Sequence, residues 1–149
     1  MDKDLNTLWA EVERMEDGRV ILRGEIAHCD VPSRNGRIYP RAVMEAAAAA
    51  VQESIRRGSF FAVIQQKGDI RVHLADVTGR VRALAVGERV RVDVELLDTD
   101  NGKHIRALLD QKQPVRLYLR GMGSTKDVDG VQVVQDDFRF DGVGITIEE

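Results

Sequence analysis

Apolar residues alternate with polar ones along several stretches of this chain, and that period of two predicts most of its elements. Val115, Leu117 and Leu119 alternate with Arg116, Tyr118 and Arg120, as expected of a strand with one aliphatic face and one polar face. Val90, Val92, Val94 and Leu96 alternate with Arg91, Asp93 and Glu95 in the same way. Further strands are predicted over Arg19–Ala27, with a bulge at Gly24, and over Phe60–Ile64, Ile70–Val72 and Val77–Val86. Val131–Val134, Phe138–Phe140 and Val143–Ile147 supply the closing strands. Gly121 and Gly123 break the Val115–Leu119 alternation, which predicts a tight turn or a close backbone approach there.

Elsewhere the period lengthens to that of a helix. Pro40 suits a first helical position, and Arg41–Arg57 carries an alanine run from Ala46 to Ala50. Val43, Met44, Val51 and Ile55 lie on one side of it, and Gly58 is placed as its stop. Asp98–Gly102 reads as a turn able to cap a short helix over His104–Gln111. Leu5, Leu8, Trp9 and Val12 recur at helical spacing, predicting an N-terminal amphipathic helix over residues 1–17, followed by a single domain over 18–149. The expected fold is α+β: a partly closed antiparallel β-barrel with flanking helices outside it.

Composition narrows the function classes. A chain of 149 residues can bury roughly two-thirds of its unfolded surface in one core. A formal charge of −3 and few aromatic residues argue against general affinity for nucleic acid or membranes. No apolar run is long enough to span a bilayer, and the single Cys29 cannot form an internal disulfide, so a cytosolic protein with a buried thiol is expected. Lys103, Arg106, Lys112, Arg116, Arg120 and Lys126 cluster ahead of Asp127, Asp129, Asp136, Asp137 and Asp141. The simpler explanation is that these two segments are neighbours in the fold; the other is a patch for a partner.

Candidate chemistry is sparse. His28, His73 and His104 fall in different elements with no ligand spacing, and no metal or cofactor is expected. Ser124 or Ser33 with His73 or His28 are the serine–histidine combinations available. The loop Ser33-Arg34-Asn35-Gly36-Arg37 presents two guanidinium groups that can grip an anion or pin the loop to its own domain.

Arg34-Asn35-Gly36-Arg37-Ile38-Tyr39-Pro40 leading into a helix resembles a segment of the prohead maturation serine proteases of tailed bacteriophages, relatives in fold of the herpesvirus assembly proteases. Leu96–Lys103 with Ala107–Asp110, and Arg120–Ser124, are similar to later segments of that family. The resemblance implies its barrel fold. It also implies where the catalytic groups would stand, and there this chain departs from the pattern. One histidine position holds Gln66, the second, after a serine, holds Gly79 after Thr78, and the serine pair before Arg-Gly is replaced by Tyr118 and Leu119. Gly24-Glu25-Ile26-Ala27-His28 mimics the histidine segment but precedes the helix instead of following it.

Neither an amide nor a glycine is a general base near neutral pH, and an aliphatic or an unassisted phenol does not replace an activated serine. The expected function is therefore a non-catalytic phage virion structural protein, a pseudo-protease serving as a head-stabilising, capsid-attached or connector component. Its expected partners are other phage structural proteins of the capsid or neck, or further copies of itself, in a particle assembled in the host cytoplasm. The alternatives are an active protease with relocated residues, Ser124 with His73, and an assembly chaperone or scaffold-binding factor.

Overall fold

The computed structural model describes residues 9–33, 35–64 and 74–147. Its strands are β1 (Glu11–Arg14), β2 (Val20–His28), β3 (Arg37–Ile38), β4 (Phe61–Val63), β5 (Val77–Val86), β6 (Arg89–Leu96), β7 (Val115–Met122), β8 (Thr125–Val128), β9 (Val131–Val134) and β10 (Arg139–Ile147). Helix α1 (Arg41–Arg57) lies between β3 and β4, and α2 (Asp100–Asp110) between β6 and β7. Gln66, His73 and the strand expected over Ile70–Val72 lie outside the described residues.

Among the described residues seven strands form one sheet in the order β1-β2-β6-β5-β4-β10-β7, and β3-β9-β8 form a second. The large sheet curls into a half-barrel. Its two edges meet at one end, where Trp9 bridges to Arg116 and the Ala10 N–H donates to the Val115 carbonyl at 2.8 Å. The core fills the curl. Val20, Leu22, Val81, Val92, Val94, Val115, Leu117, Val143 and Ile145 are buried together with Met44 of α1 and Ile105 of α2.

The antiparallel barrel expected from the sequence is in fact a mixed sheet, because β4 pairs with β10 in parallel. Strand alternation reports which face is buried and carries no information about the direction of a neighbour. The N-terminal helix expected over residues 1–17 is also corrected in its described part. Glu11–Arg14 pairs antiparallel with Val20–Arg23, and a turn held by Gly18 N–H to Met15 O joins the two strands. The open edge of β2 supplies backbone partners that a short isolated helix lacks, so tertiary pairing overrides the helical spacing of Trp9 and Val12.

The remaining differences are local. The bulge in β2 falls between Glu25 and Ala27, not at Gly24. Helix α2 begins at Asp100, a turn earlier than expected, because the Thr99 hydroxyl accepts the Gly102 N–H at 3.0 Å and caps it. Strand β7 runs through Gly121 to Met122, where those residues pair with Phe140 and Arg139. Gly121 serves close approach rather than a turn, since a Cβ there would lie 2.4 Å from the Phe138 ring. Strand β8, fully exposed, was not legible as a strand at all.

Candidate functional site

Beyond the closed end the edges of the half-barrel separate, and a cleft of about 740 Å³ opens between the far end of β2 and β7. Ile26 and His28 of β2 and Leu117, Tyr118 and Leu119 of β7 line its walls, with Phe138 among the other lining residues. Tyr39 also lines it; its ring meets Phe138 edge-on at 6.1 Å, and Phe138 meets Phe140 at 5.1 Å. On the β2 side Glu25 binds Arg89 at 2.6 Å and Arg91 at 3.0 Å, which fixes its carboxylate against β6.

Some of the sequence-derived positions line this cleft and others lie away from its walls. Tyr118 and Leu119 stand on its wall. Tyr118 faces Gly144 across the β7–β10 pair, and a Cβ on Gly144 would fall 2.0 Å from the phenol ring. The aromatic ring therefore covers the glycine and needs it to be one. Thr78 and Gly79 lie in β5, both buried. The Thr78 hydroxyl donates to the Asp76 carbonyl at 3.0 Å and accepts the Ile64 N–H at 3.2 Å, tying the end of β4 to β5. A Cβ on Gly79 would lie 2.7 Å from Val94 and 2.8 Å from the Glu95 carbonyl oxygen.

Ser124 is exposed, and both its N–H (2.9 Å) and its hydroxyl (3.0 Å) donate to the same Asp137 carboxylate oxygen. Those two bonds hold the Asp137 carboxyl below its usual range. His28 lines the cleft and His104 lies on α2, and the Ser124 hydroxyl is bonded to Asp137 rather than to either imidazole. Cys29 is buried, and desolvation pushes its thiol upward, away from thiolate chemistry. No cluster of three or more His, Cys, Asp or Glu side chains suited to a metal ion occurs among the described residues.

The basic and acidic segments are neighbours, as the simpler explanation required: β7 lies against β10, and Arg120, 8% exposed, reaches Asp141 at 3.3 Å. In the loop Ser33-Arg34-Asn35-Gly36-Arg37, Arg34 is outside the described residues and Arg37 is exposed at the cleft. What the sequence reading missed is the aromatic group Tyr39–Phe138–Phe140, which joins the helix-entry loop to the cleft. Its only sequence signal is an aromatic residue next to Pro40 and two more flanking Arg139.

The chain resembles known proteins over most of its length. Among solved structures, the capsid assembly protease gp21 of bacteriophage T4 superimposes with a TM-score of 0.77 at 20% identity, covering 93% of each chain. At that identity the likeness is one of fold. No curated protein sequence matches significantly. The family model described as prohead core protein serine protease matches residues 13–147, from β1 to the end of β10. A match over that span means that the chain belongs to the prohead core protein serine protease family.

Proposed function

We propose that this chain is a non-catalytic member of its family, retained as a structural component of a phage particle. The carrying observation is the packing at Gly79. The resemblance puts a histidine at that position, but any side chain there meets Val94 and the Glu95 backbone below 3 Å. Tyr118 over Gly144 supports the same reading, because the place of a nucleophilic serine is taken by a ring that packs on the neighbouring strand. Leu119 beside it offers no nucleophile, and Gln66 offers an amide in place of the other imidazole.

A head-stabilising, capsid-attached or connector role follows from keeping the fold while dispensing with the chemistry. Its partners are then other phage structural proteins of the capsid or neck, or copies of itself. The assignment to a virion rests on the family and not on a site.

The test incubates the purified chain with phage scaffold and capsid proteins and with a serine-directed phosphonate probe. No new fragments and no labelling are expected. Cleavage that disappears in Ser124→Ala would establish the relocated protease instead. Mass spectrometry of purified virions separates a structural component, present in the particle, from an assembly chaperone, absent from it.

A further inference from the structure

The chain contains two Asn-Gly pairs among its described residues, Asn35-Gly36 and Asn101-Gly102, and the structure exposes the glycine of the first and buries that of the second. Asn101 opens the second position of α2. Its side-chain amide donates to the Ala75 carbonyl at 2.9 Å, and the N–H of the buried Gly102 is taken by the Thr99 hydroxyl at 3.0 Å. Both reacting groups are thereby held apart from each other inside a capped helix.

Asn35 and Gly36 are exposed in the turn before β3, and the space where a Gly36 side chain would stand is open. The Ser33 hydroxyl donates to the Asn35 side-chain carbonyl oxygen. That hydroxyl also accepts the Arg37 N–H at 3.2 Å, which orients its proton toward Asn35. Gly36 N–H donates to the Ser33 carbonyl at 3.0 Å, a bond in a solvent-exposed turn that opens readily.

We propose that Asn35 is a self-modification site, at which the Gly36 amide nitrogen attacks the Asn35 side-chain carbonyl with the Ser33 hydroxyl stabilising the oxyanion. The Gly36 nitrogen gives its proton to solvent base and forms a bond to Cγ of Asn35. The Cγ–N bond of the side-chain amide breaks, and ammonia leaves with a proton from water. Water then opens the resulting five-membered imide to aspartate or isoaspartate. A hydroxyl placed on the developing oxyanion acts as it does in an oxyanion hole, and the absent Gly36 side chain removes the usual steric barrier.

The product places a carboxylate two residues from Arg37 on the wall of the cleft, and the isoaspartyl form adds a methylene to the main chain of the turn. The cleft rim thus changes charge and shape with the age of the molecule, independently of whether the chain cleaves peptides.

The experiment incubates the folded full-length chain in mildly alkaline buffer and follows both asparagines by peptide mass spectrometry that separates aspartyl from isoaspartyl products. Asn35 is expected to convert at least about tenfold faster than Asn101, with the ratio falling toward unity in denaturant, where both pairs are free. Ser33→Ala should slow the folded-state conversion several-fold, and Ser33→Thr should preserve it. Equal rates at the two asparagines in the folded chain, or a rate at Asn35 unmoved by Ser33→Ala, would overturn the proposal.

Discussion

At the scale of single residues, this structure is decided by positions where a side chain has no room. Gly79 is pressed against β6 so closely that adding one methyl group forces backbone movement, because the contact is partly with the Glu95 carbonyl. Gly79→Ala is expected to lower stability by about 1–3 kcal/mol, read by urea unfolding, and Gly79→His by more. A Gly79→Ala chain as stable as the parent would remove the packing argument for an inert site. Thr78→Val should cost about 0.5–1.5 kcal/mol, the worth of ordinary hydrogen bonds, since the Ile64 N–H and the Asp76 carbonyl lose the hydroxyl but still bond each other at 3.1 Å.

Asp137 gives a pH-dependent signature. Its folded pKa is depressed by the two Ser124 bonds, so whatever these bonds contribute is present above the unfolded value and is lost as pH falls through the folded one. The Ser124 amide resonance should therefore titrate with a midpoint below the ordinary carboxylate range, and Asp137→Asn should abolish that titration.

At the scale of elements, the two helices begin in different ways, and the difference predicts different responses. Helix α2 carries its own cap in Thr99, so Thr99→Ala should destabilise the chain by about 1 kcal/mol. Helix α1 has Pro40 at its cap position, which provides no side-chain acceptor. The Asp30 carboxylate, ten residues earlier in a left-handed conformation at φ 66°, instead accepts the Arg41 N–H at 3.1 Å. Asp30→Ala should then both fray the first turn of α1 and loosen the loop leading to Tyr39, visible as faster amide exchange at Arg41. If exchange there is unchanged, the loop holds the helix without that contact.

For the whole molecule, stability should be graded from the sheet centre outward. Strands β2, β5 and β6 pair over long runs around the buried Val81, Val92 and Val94, whereas the β8–β9 hairpin is largely exposed. Native-state hydrogen exchange is expected to be slowest in β5 and β6 and fastest in β8. Slow exchange throughout β8 in the isolated chain would indicate that this edge is covered. The way the sheet edges meet also explains how a cleft survives in a nearly closed barrel. Residues Trp9 and Ala10 bridge the edges at one end only, so the other end of β2 remains separated from β7.

The sequence by itself determined what short-range pattern controls: the faces that the alternating strands β6 and β7 bury, the extent of α1 and its stop at Gly58, the strand stretches of β5 and β6, the burial of Cys29 and the family likeness. It also set Gln66, Gly79, Tyr118 and Leu119 where the family likeness implies catalytic groups, and the proposal of an inert member rests on them. Only the tertiary structure decided the parallel placement of β10 against β4, the conversion of Glu11–Arg14 from helical spacing to a strand, and the grouping of Tyr39 with Phe138 at the cleft. The physical reason is that alternation and capping are settled within a few residues of chain. Strand order, edge pairing and the space left for a side chain depend on segments a hundred residues apart, whose meeting leaves no periodic mark on either.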